Sequence, residues 1–408
     1  MLTRIAGIAL REARANLNYH LVTRLGRLPE PRTRPPHTPP QRVGIVRLDL
    51  IGDFVLFTAA LPHFRAAFPG AELVLFGNAA WRDLALWLND HRVVCESQLL
   101  FDEFVDIEPA RLVDFGYFSS AVTQLRTTDL VVNAAYSRTN VGDKLIAAAG
   151  RESIGCSGDT TNILAGQKLL NDKLYSRLIP NSESKTEWER NIDLAQALAP
   201  AASIPRTPPF WRLNRDLADA SIAGLFKANG VSSMTPTIAI SPFASLPIKQ
   251  WPLAQYRSLI QCILDARGDL RALILGGADR VREAELLTKG FPSAERVINL
   301  VGKTSLVEAT CLLCRSRVSI SGDTAAGHLA SAVGTPAVVV MGGGHYGRFY
   351  PYAAPHPGAA NHAVIHRMDC FHCNWFCKYR RFSNQEPPCL QEITVDDVFA
   401  RVAPLLSK

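Results

Sequence analysis

The stretch "VGIVRLDLIGDFVLFTAALPHF" (43–64) decides the fold. It opens as an apolar run of strand length and passes through a short polar turn holding Asp49, Gly52 and Asp53. From Phe54 to Phe68 the apolar residues then fall at helical period, with Pro69-Gly70 as the stop before a second apolar run, "AELVLF" (71–76). Strands apolar on both faces and separated by helices predict a parallel sheet covered on both sides. The runs "DLVVNA" (129–134) and "ESIGCS" (152–157) extend the series.

A proline-rich break, "LAPAASIPRTPPFWRL" (198–213), interrupts the alternation, which then restarts. "TIAISP" (237–242), "RALILGG" (271–277), "RVINLVG" (296–302), "RVSISGD" (317–323) and "TPAVVVMG" (335–342) read as strands. With 408 residues the chain exceeds one ordinary core. The expectation is an α/β protein of two domains, 43–205 and 236–390, joined by a linker or helix over 206–235 and sharing a cleft. An extension, 1–42, precedes them and a helix, 391–408, follows.

The net charge of +7 is uneven: eight arginines against Glu12 and Glu30 place six of those charges in residues 1–42. Leu2, Ile5, Ala9, Ala13, Leu17, Leu21 and Leu25 recur at three- and four-residue spacing among them, predicting an amphipathic basic helix ended by "LPEPRTRPPHTPP". Residues 1–28 could lie peripherally on an anionic membrane; a helix packed on the body, a solvated tail or an organellar transit peptide has the same composition. No run of about 18 apolar residues suggests a membrane span. The near-neutral body argues against nucleic acid as a partner.

Open α/β sheets bind ligands beyond the carboxyl ends of their strands. Four such ends are polar or glycine-rich: "RLDLIGDF", "SPFASLPIKQWP" (241–252) with Ser245 and Lys249, "SGDTAAGHLASAVGTP" (321–336), and "MGGGHYGRFYPY" (341–352). Small residues around Asp323, Thr324 and Ala325 would leave helix N–H groups facing a phosphate, although Asp323 and Thr324 could be plain caps. His328, alone, reads as a satisfied core histidine, and Lys249 as a solvated charge. The G-x-G-x-x-G fingerprint, the Walker A loop and H-E-x-x-H are all absent, which removes support from hydride transfer and NTP hydrolysis.

In order, these motifs resemble glycosyltransferase family 9, the ADP-heptose:lipopolysaccharide heptosyltransferases. The resemblance spans residues 43–403 and rests on the Gly-Asp turn at 52–53, "KQWPLAQY" (249–256), "DTAAGHLASAVGTP" (323–336) and "GRFYPY" (347–352). It implies a GT-B fold of two Rossmann-like domains facing a central cleft, the first for the acceptor and the second for the nucleotide-sugar donor. It also implies an inverting, metal-independent transfer of heptose from ADP-heptose to a lipopolysaccharide-core or related lipid-linked glycan at the cytoplasmic membrane face of a bacterium. Asp53 matches the general base and Asp49 inherits no role; Asp53 could also cap the following helix. Ser245 and Lys249 match donor-diphosphate contacts, with Asp323, Thr324 and Ala325 at the helix start and His328 beside the donor. The departures, Ala325 for glycine, Phe243 for glycine and "GGGHYG" for the usual loop, bear on which sugar is used. A different nucleotide sugar and acceptor, or a catalytically silent nucleotide- or glycan-binding protein, are the alternatives.

Nine cysteines without a secretory signal fit a reducing compartment. Four of them, Cys370, Cys373, Cys377 and Cys389, cluster as C-x2-C-x3-C-x11-C in a loop over 370–389. They could hold a structural, non-catalytic zinc, or be free thiols or one reversible disulfide. Trp375, Lys378, Arg380 and Arg381 in that loop could face a phosphorylated glycan, or simply water.

Overall fold

The computed structural model describes residues 2–25, 38–232, 234–352, 356, 360–380 and 385–407. The proline-rich part of the extension and Arg381 lie outside the described residues. The chain divides into two compact units, Met1–Arg206 and Thr207–Lys408.

The first unit is built on β1 (Arg42–Arg47), β2 (Glu72–Asn78), β3 (Glu103–Ile107), β4 (Leu130–Asn133), β5 (Glu152–Cys156) and β6 (Arg177–Ile179). All pair in parallel, in the order β3-β2-β1-β4-β5-β6. The second unit holds β7 (Thr237–Ser241), β8 (Arg271–Ile274), β9 (Val297–Asn299), β10 (Ser319–Gly322), β11 (Ala337–Val340) and β12 (Asn361–Val364). Their order, β12-β11-β10-β7-β8-β9, repeats the wiring of the first sheet. In each sheet the direction of winding reverses between its first and fourth strands, which is where such sheets bind ligands.

The central strands are buried along almost their whole length, as their unbroken apolar runs require. Val46, Val74, Phe76, Phe118, Val131 and Leu145 fill the first core, and Ile240, Ile260, Ile274, Ile320 and Val338 the second. Each such side chain contributes roughly 1.5–3 kcal/mol by leaving water.

The single helix expected over Phe54–Phe68 is broken. A helix Ile51–Phe57 gives way to a tight turn, a 3-10 segment Leu61–His63 and a last turn Phe64–Ala67. Pro62, at the start of the 3-10 segment, lacks the N–H a continuous helix needs. At the C-terminus the expected helix is Val395–Val402, preceded by the short turn Pro388–Gln391. The segment 206–235 carries a regular helix, Arg215–Ala228, which packs on Leu306–Arg315 within the second unit.

The N-terminal helix Leu2–Leu25 forms, but packs by a different face from the one its leucines suggest. Glu12, Ala15, Asn18 and Val22 are buried against the first unit, whereas Ala13 and Leu17 of the expected stripe are exposed and Leu21 is half-buried. The docking is largely polar. Asn18 donates to the carbonyls of Leu112 and Val113, each at 3.1 Å. The Leu164 N–H donates to Glu12 Oε1 at 2.8 Å, and Asn140 Nδ2 to the Glu12 carbonyl at 3.1 Å.

Candidate functional sites in the two units

At the end of β1 the chain turns through Leu48, Asp49 and Leu50, held by donors from the β2 side: Asn78 Nδ2 to the Leu48 carbonyl at 3.1 Å and Trp81 Nε1 to the Asp49 carbonyl at 3.0 Å. Trp81 in turn stacks on Phe54 at 4.2 Å, fixing the helix that follows the turn. The turn opens onto a cavity of about 810 Å³ at the ends of β1 and β4. Its wall mixes polar groups (Glu12, Asp49, Asn133, Ser137, Thr139, Asn140) with apolar Leu48, Leu50 and Val113.

The polar wall is fixed from behind. Asn133 Nδ2 donates to Tyr175 Oη and Tyr175 Oη to Asp143 Oδ1, both at 2.6 Å, while Asn171 ties Asp143 to Asn140 at 3.0 and 2.9 Å. Burial raises the Asp143 carboxyl despite the neighbouring Arg138 guanidinium. None of these residues was singled out by sequence; their spacing carries no motif, and the tertiary fold alone assembles them.

The two aspartates of the turn have different surroundings. Asp49 Oδ2 is 2.9 Å from Arg47 Nε, and Arg47 is fully buried. That guanidinium also bonds Asn191 Oδ1 at 3.0 Å and lies 3.7 Å from Glu187. Burial opposes the Arg47 charge, but Asp49, Glu187 and Asp53 outweigh it and its pKa is raised. Asp49 thus neutralises a buried cation. Asp53 is not the helix cap: Leu50 holds that position, and Asp53 lies within the first turn, where a carboxylate suits the helix dipole. It is not among the described residues lining the cavity.

In the second unit, β7 ends at Ser241 and leads through exposed Ser245 to the 3-10 turn Pro247–Lys249. Trp251, fully buried, anchors this loop by donating from Nε1 to the Ile393 carbonyl at 3.0 Å. The K-x-W-P motif is therefore an anchor (Trp251) and a cap (Pro252, before the helix Leu253–Ala266) that present Lys249.

Lys249 Nζ meets Asp323 Oδ2 at 3.0 Å, and Asp323 directly follows β10. The pair bridges the ends of β7 and β10, the winding-reversal point of this sheet, at the start of the helix Ala325–Ala332. Thr324 is the backbone cap of that helix and makes no side-chain cap bond; Ala325 is its first residue. His328 is buried one turn on, with Nδ1 3.0 Å from Tyr352 Oη, and burial lowers its pKa to about 4, so the ring is neutral near pH 7. It is a satisfied core histidine, and "GRFYPY" is what satisfies it. Lys249, Asp323, Thr324, Ala325 and His328 are thus gathered at one place.

The thiols of Cys370, Cys373, Cys377 and Cys389 lie near one another: burial raises the Cys389 thiol, and the other three raise it further. Among the described residues no group of three or more His, Cys, Asp or Glu is placed to hold a metal ion.

Comparison with known proteins places this arrangement. The family described as glycosyltransferase family 9 (heptosyltransferase) matches residues 166–372. Lipooligosaccharide heptosyltransferase 2 of Haemophilus influenzae is 25% identical over 194 residues, 46% of this chain and 53% of that protein. The chain spans about half the length of that curated relative. The structure of Escherichia coli ADP-heptose lipopolysaccharide heptosyltransferase II matches with a TM-score of 0.64 at 17% identity, over 90% of this chain and 98% of that one. A family 9 glycosyltransferase from Veillonella parvula matches at 0.67 and 15% identity, over 90% and 97%. These likenesses establish the GT-B fold class of the two parallel sheets.

Proposed function

Because the chain belongs to glycosyltransferase family 9, we propose that it transfers a sugar from a nucleotide-diphosphate donor, with heptose from ADP-heptose as the first reading and a lipopolysaccharide-core or related lipid-linked glycan as the acceptor. The observation that carries this reading is the Lys249–Asp323 pair at the winding-reversal point of the second sheet, beside a helix N-terminus. A fixed ammonium and free helix N–H groups are what a departing diphosphate requires.

In the proposed step an acceptor hydroxyl oxygen attacks the anomeric carbon as the bond to the diphosphate breaks, inverting that carbon. Asp53 takes the hydroxyl proton. Lys249 and the amides of the first helical turn from Ala325 receive the charge that develops on ADP, the part a divalent cation plays elsewhere, with Thr324 capping that turn while its own N–H bonds the Gly322 carbonyl at 2.8 Å; Ser245 adds a donor from the same loop. EDTA is accordingly expected to leave transfer unchanged. We assign the four clustered thiols no step. A metal there would be a structural clip, read directly by elemental analysis of the purified protein.

We place the acceptor in the first unit and the protein at the inner face of a bacterial cytoplasmic membrane. Supporting this, the outward side of the N-terminal helix exposes Leu10 and Leu17 beside exposed Arg14 and Arg24, a combination suited to an anionic bilayer surface.

Two substitutions separate the aspartates. Asp53→Asn should lower transfer at least about 10²-fold with ADP affinity unchanged, and should lower the melting temperature less than Asp49→Asn does, because Asp53 acts on buried Arg47 less than Asp49 does. Asp49→Asn should do the reverse, keeping the rate per folded molecule while costing roughly 3 kcal/mol of stability, because Arg47 loses a buried counter-charge. Full turnover by Asp53→Asn would remove the base assignment. If a panel of ADP, UDP, GDP and their sugars shows stabilisation by UDP or GDP species alone, the donor changes while the mechanism stands.

A further inference from the structure

The loop that carries Cys370, Cys373 and Cys377 is held in a strained form. His372, Asn374 and Trp375 have φ of 66°, 48° and 63°. Non-glycine residues adopt this region at a cost and keep it only where their neighbours enforce it. Here the neighbour is the glycine run 342–344 after β11. The His372 N–H donates to the Gly343 carbonyl at 2.8 Å and the Asn374 N–H to the Gly344 carbonyl at 3.1 Å. His345 Nε2 lies 2.5 Å from Asn374 Oδ1. The rings of Phe371 and Trp375 occupy the space that Cβ atoms would need at Gly343 and Gly344, so no other residue type admits this contact.

The outcome of this docking is the position of one indole. The Trp375 ring centre lies 5.1 Å from Lys249 Nζ, the ammonium that also meets Asp323 at 3.0 Å. The indole N–H is buried and has no hydrogen-bond partner among the described residues. A buried tryptophan usually finds such a partner, so its own polar atom does not set the placement of this ring.

We propose that Trp375 is a positioning residue for the donor diphosphate: its ring face, together with the Asp323 carboxylate, holds the Lys249 ammonium where the phosphates arrive. This rests on the donor-site reading given above. A lysine stem has several rotatable bonds, and one carboxylate constrains only the tip of it. A second carboxylate would add constraint but would repel the incoming diphosphate. An aromatic face attracts the cation through its quadrupole and carries no net charge. The ammonium is thereby oriented while its charge stays available to an anion.

The test uses the full-length protein with Trp375→Leu and Trp375→Phe. Lysines are reductively methylated with ¹³C, which keeps their charge, and the Lys249 resonance is assigned by its loss in Lys249→Arg. It should be displaced upfield by the indole ring current in the parent, return to the position of ordinary lysines in the leucine variant, and be partly displaced in the phenylalanine variant. By calorimetry, the leucine variant should bind ADP about 3- to 30-fold more weakly, the range of a cation–π contact. Adenosine affinity should be unchanged, and phenylalanine should recover most of the loss. A Lys249 resonance without displacement in the parent overturns the proposal, whichever nucleotide binds. Equal weakening of ADP and adenosine also overturns it, because a mere wedge behind the loop would act that way. If the parent binds no nucleoside diphosphate, the donor-site reading falls instead, and the methyl-lysine spectrum still decides whether Trp375 holds Lys249. Should the leucine variant fail to fold, the phenylalanine variant carries both readouts.

Discussion

His328 is a motif residue whose ring is satisfied within the fold. Its ring is buried, bonded to Tyr352 and faced by Asp323 and Lys249, and burial holds its pKa at about 4 against an ordinary 6.5. Below pH 6.5 the unfolded chain takes up a proton that the folded chain refuses, so stability falls as pH drops from 6.5 towards 4 and then levels off. At about 1.4 kcal/mol per unit the contribution is roughly 3 kcal/mol. Melting temperature plotted against pH should therefore lose part of its slope in this window in His328→Gln. His345, also lowered to about 4 chiefly by burial, supplies part of what is left. An identical slope in the variant would place the titration elsewhere. At this scale the sequence was legible as a set of motif letters. Lys249 and Asp323 could each be named, but their 3.0 Å pairing across 74 positions could not, and Trp375 had no motif to point at its place beside them.

Elements were legible in proportion to their burial. The continuous apolar runs at 43–48, 129–134, 237–242 and 317–323 marked the interior strands, which water never reaches. β3, β6 and β12 were missed, and each is an edge strand. β3 exposes Glu103 and Asp106, and β6 is three residues long, so neither presents an unbroken apolar run. The N-terminal helix was legible as a helix, but its docking face was not, because Asn18 and Glu12 dock through hydrogen bonds that hydropathy does not register. How closely helix and sheet approach is a prediction at this scale. A Cβ at Gly327 would lie 2.8 Å from Val339 Cγ2 and 3.2 Å from Ser321 Oγ, so the helix Ala325–Ala332 sits directly on its sheet. Gly327→Ala should destabilise by about 1–3 kcal/mol through overpacking, and Val339→Ala should restore much of that in the double variant. Additive losses in chemical denaturation would show that the contact is not the cause.

For the molecule as a whole, charge and wiring are distributed differently. Six of the seven net positive charges belong to residues 1–42, while the body is close to neutral. Association with a charged surface should thus depend on the extension and weaken with salt. The full chain should sediment with vesicles rich in phosphatidylglycerol and not with phosphatidylcholine vesicles, and Leu17→Glu should abolish this without lowering the melting temperature, since Leu17 is 57% exposed. Equal binding to both lipids, or no binding, would return the helix to a purely structural part. The wiring, by contrast, is duplicated: each unit winds six parallel strands in the same order. Most of each core comes from strands and helices, with a few loop side chains added, such as Trp251 after β7 in the second and Leu48 after β1 packed on the first. A change confined to the turns after β1 and β4 can therefore re-address the first unit to a new molecule while every buried strand stays as it was. The architecture is two sockets of one gauge, each cut from six parallel strands wound in the same order.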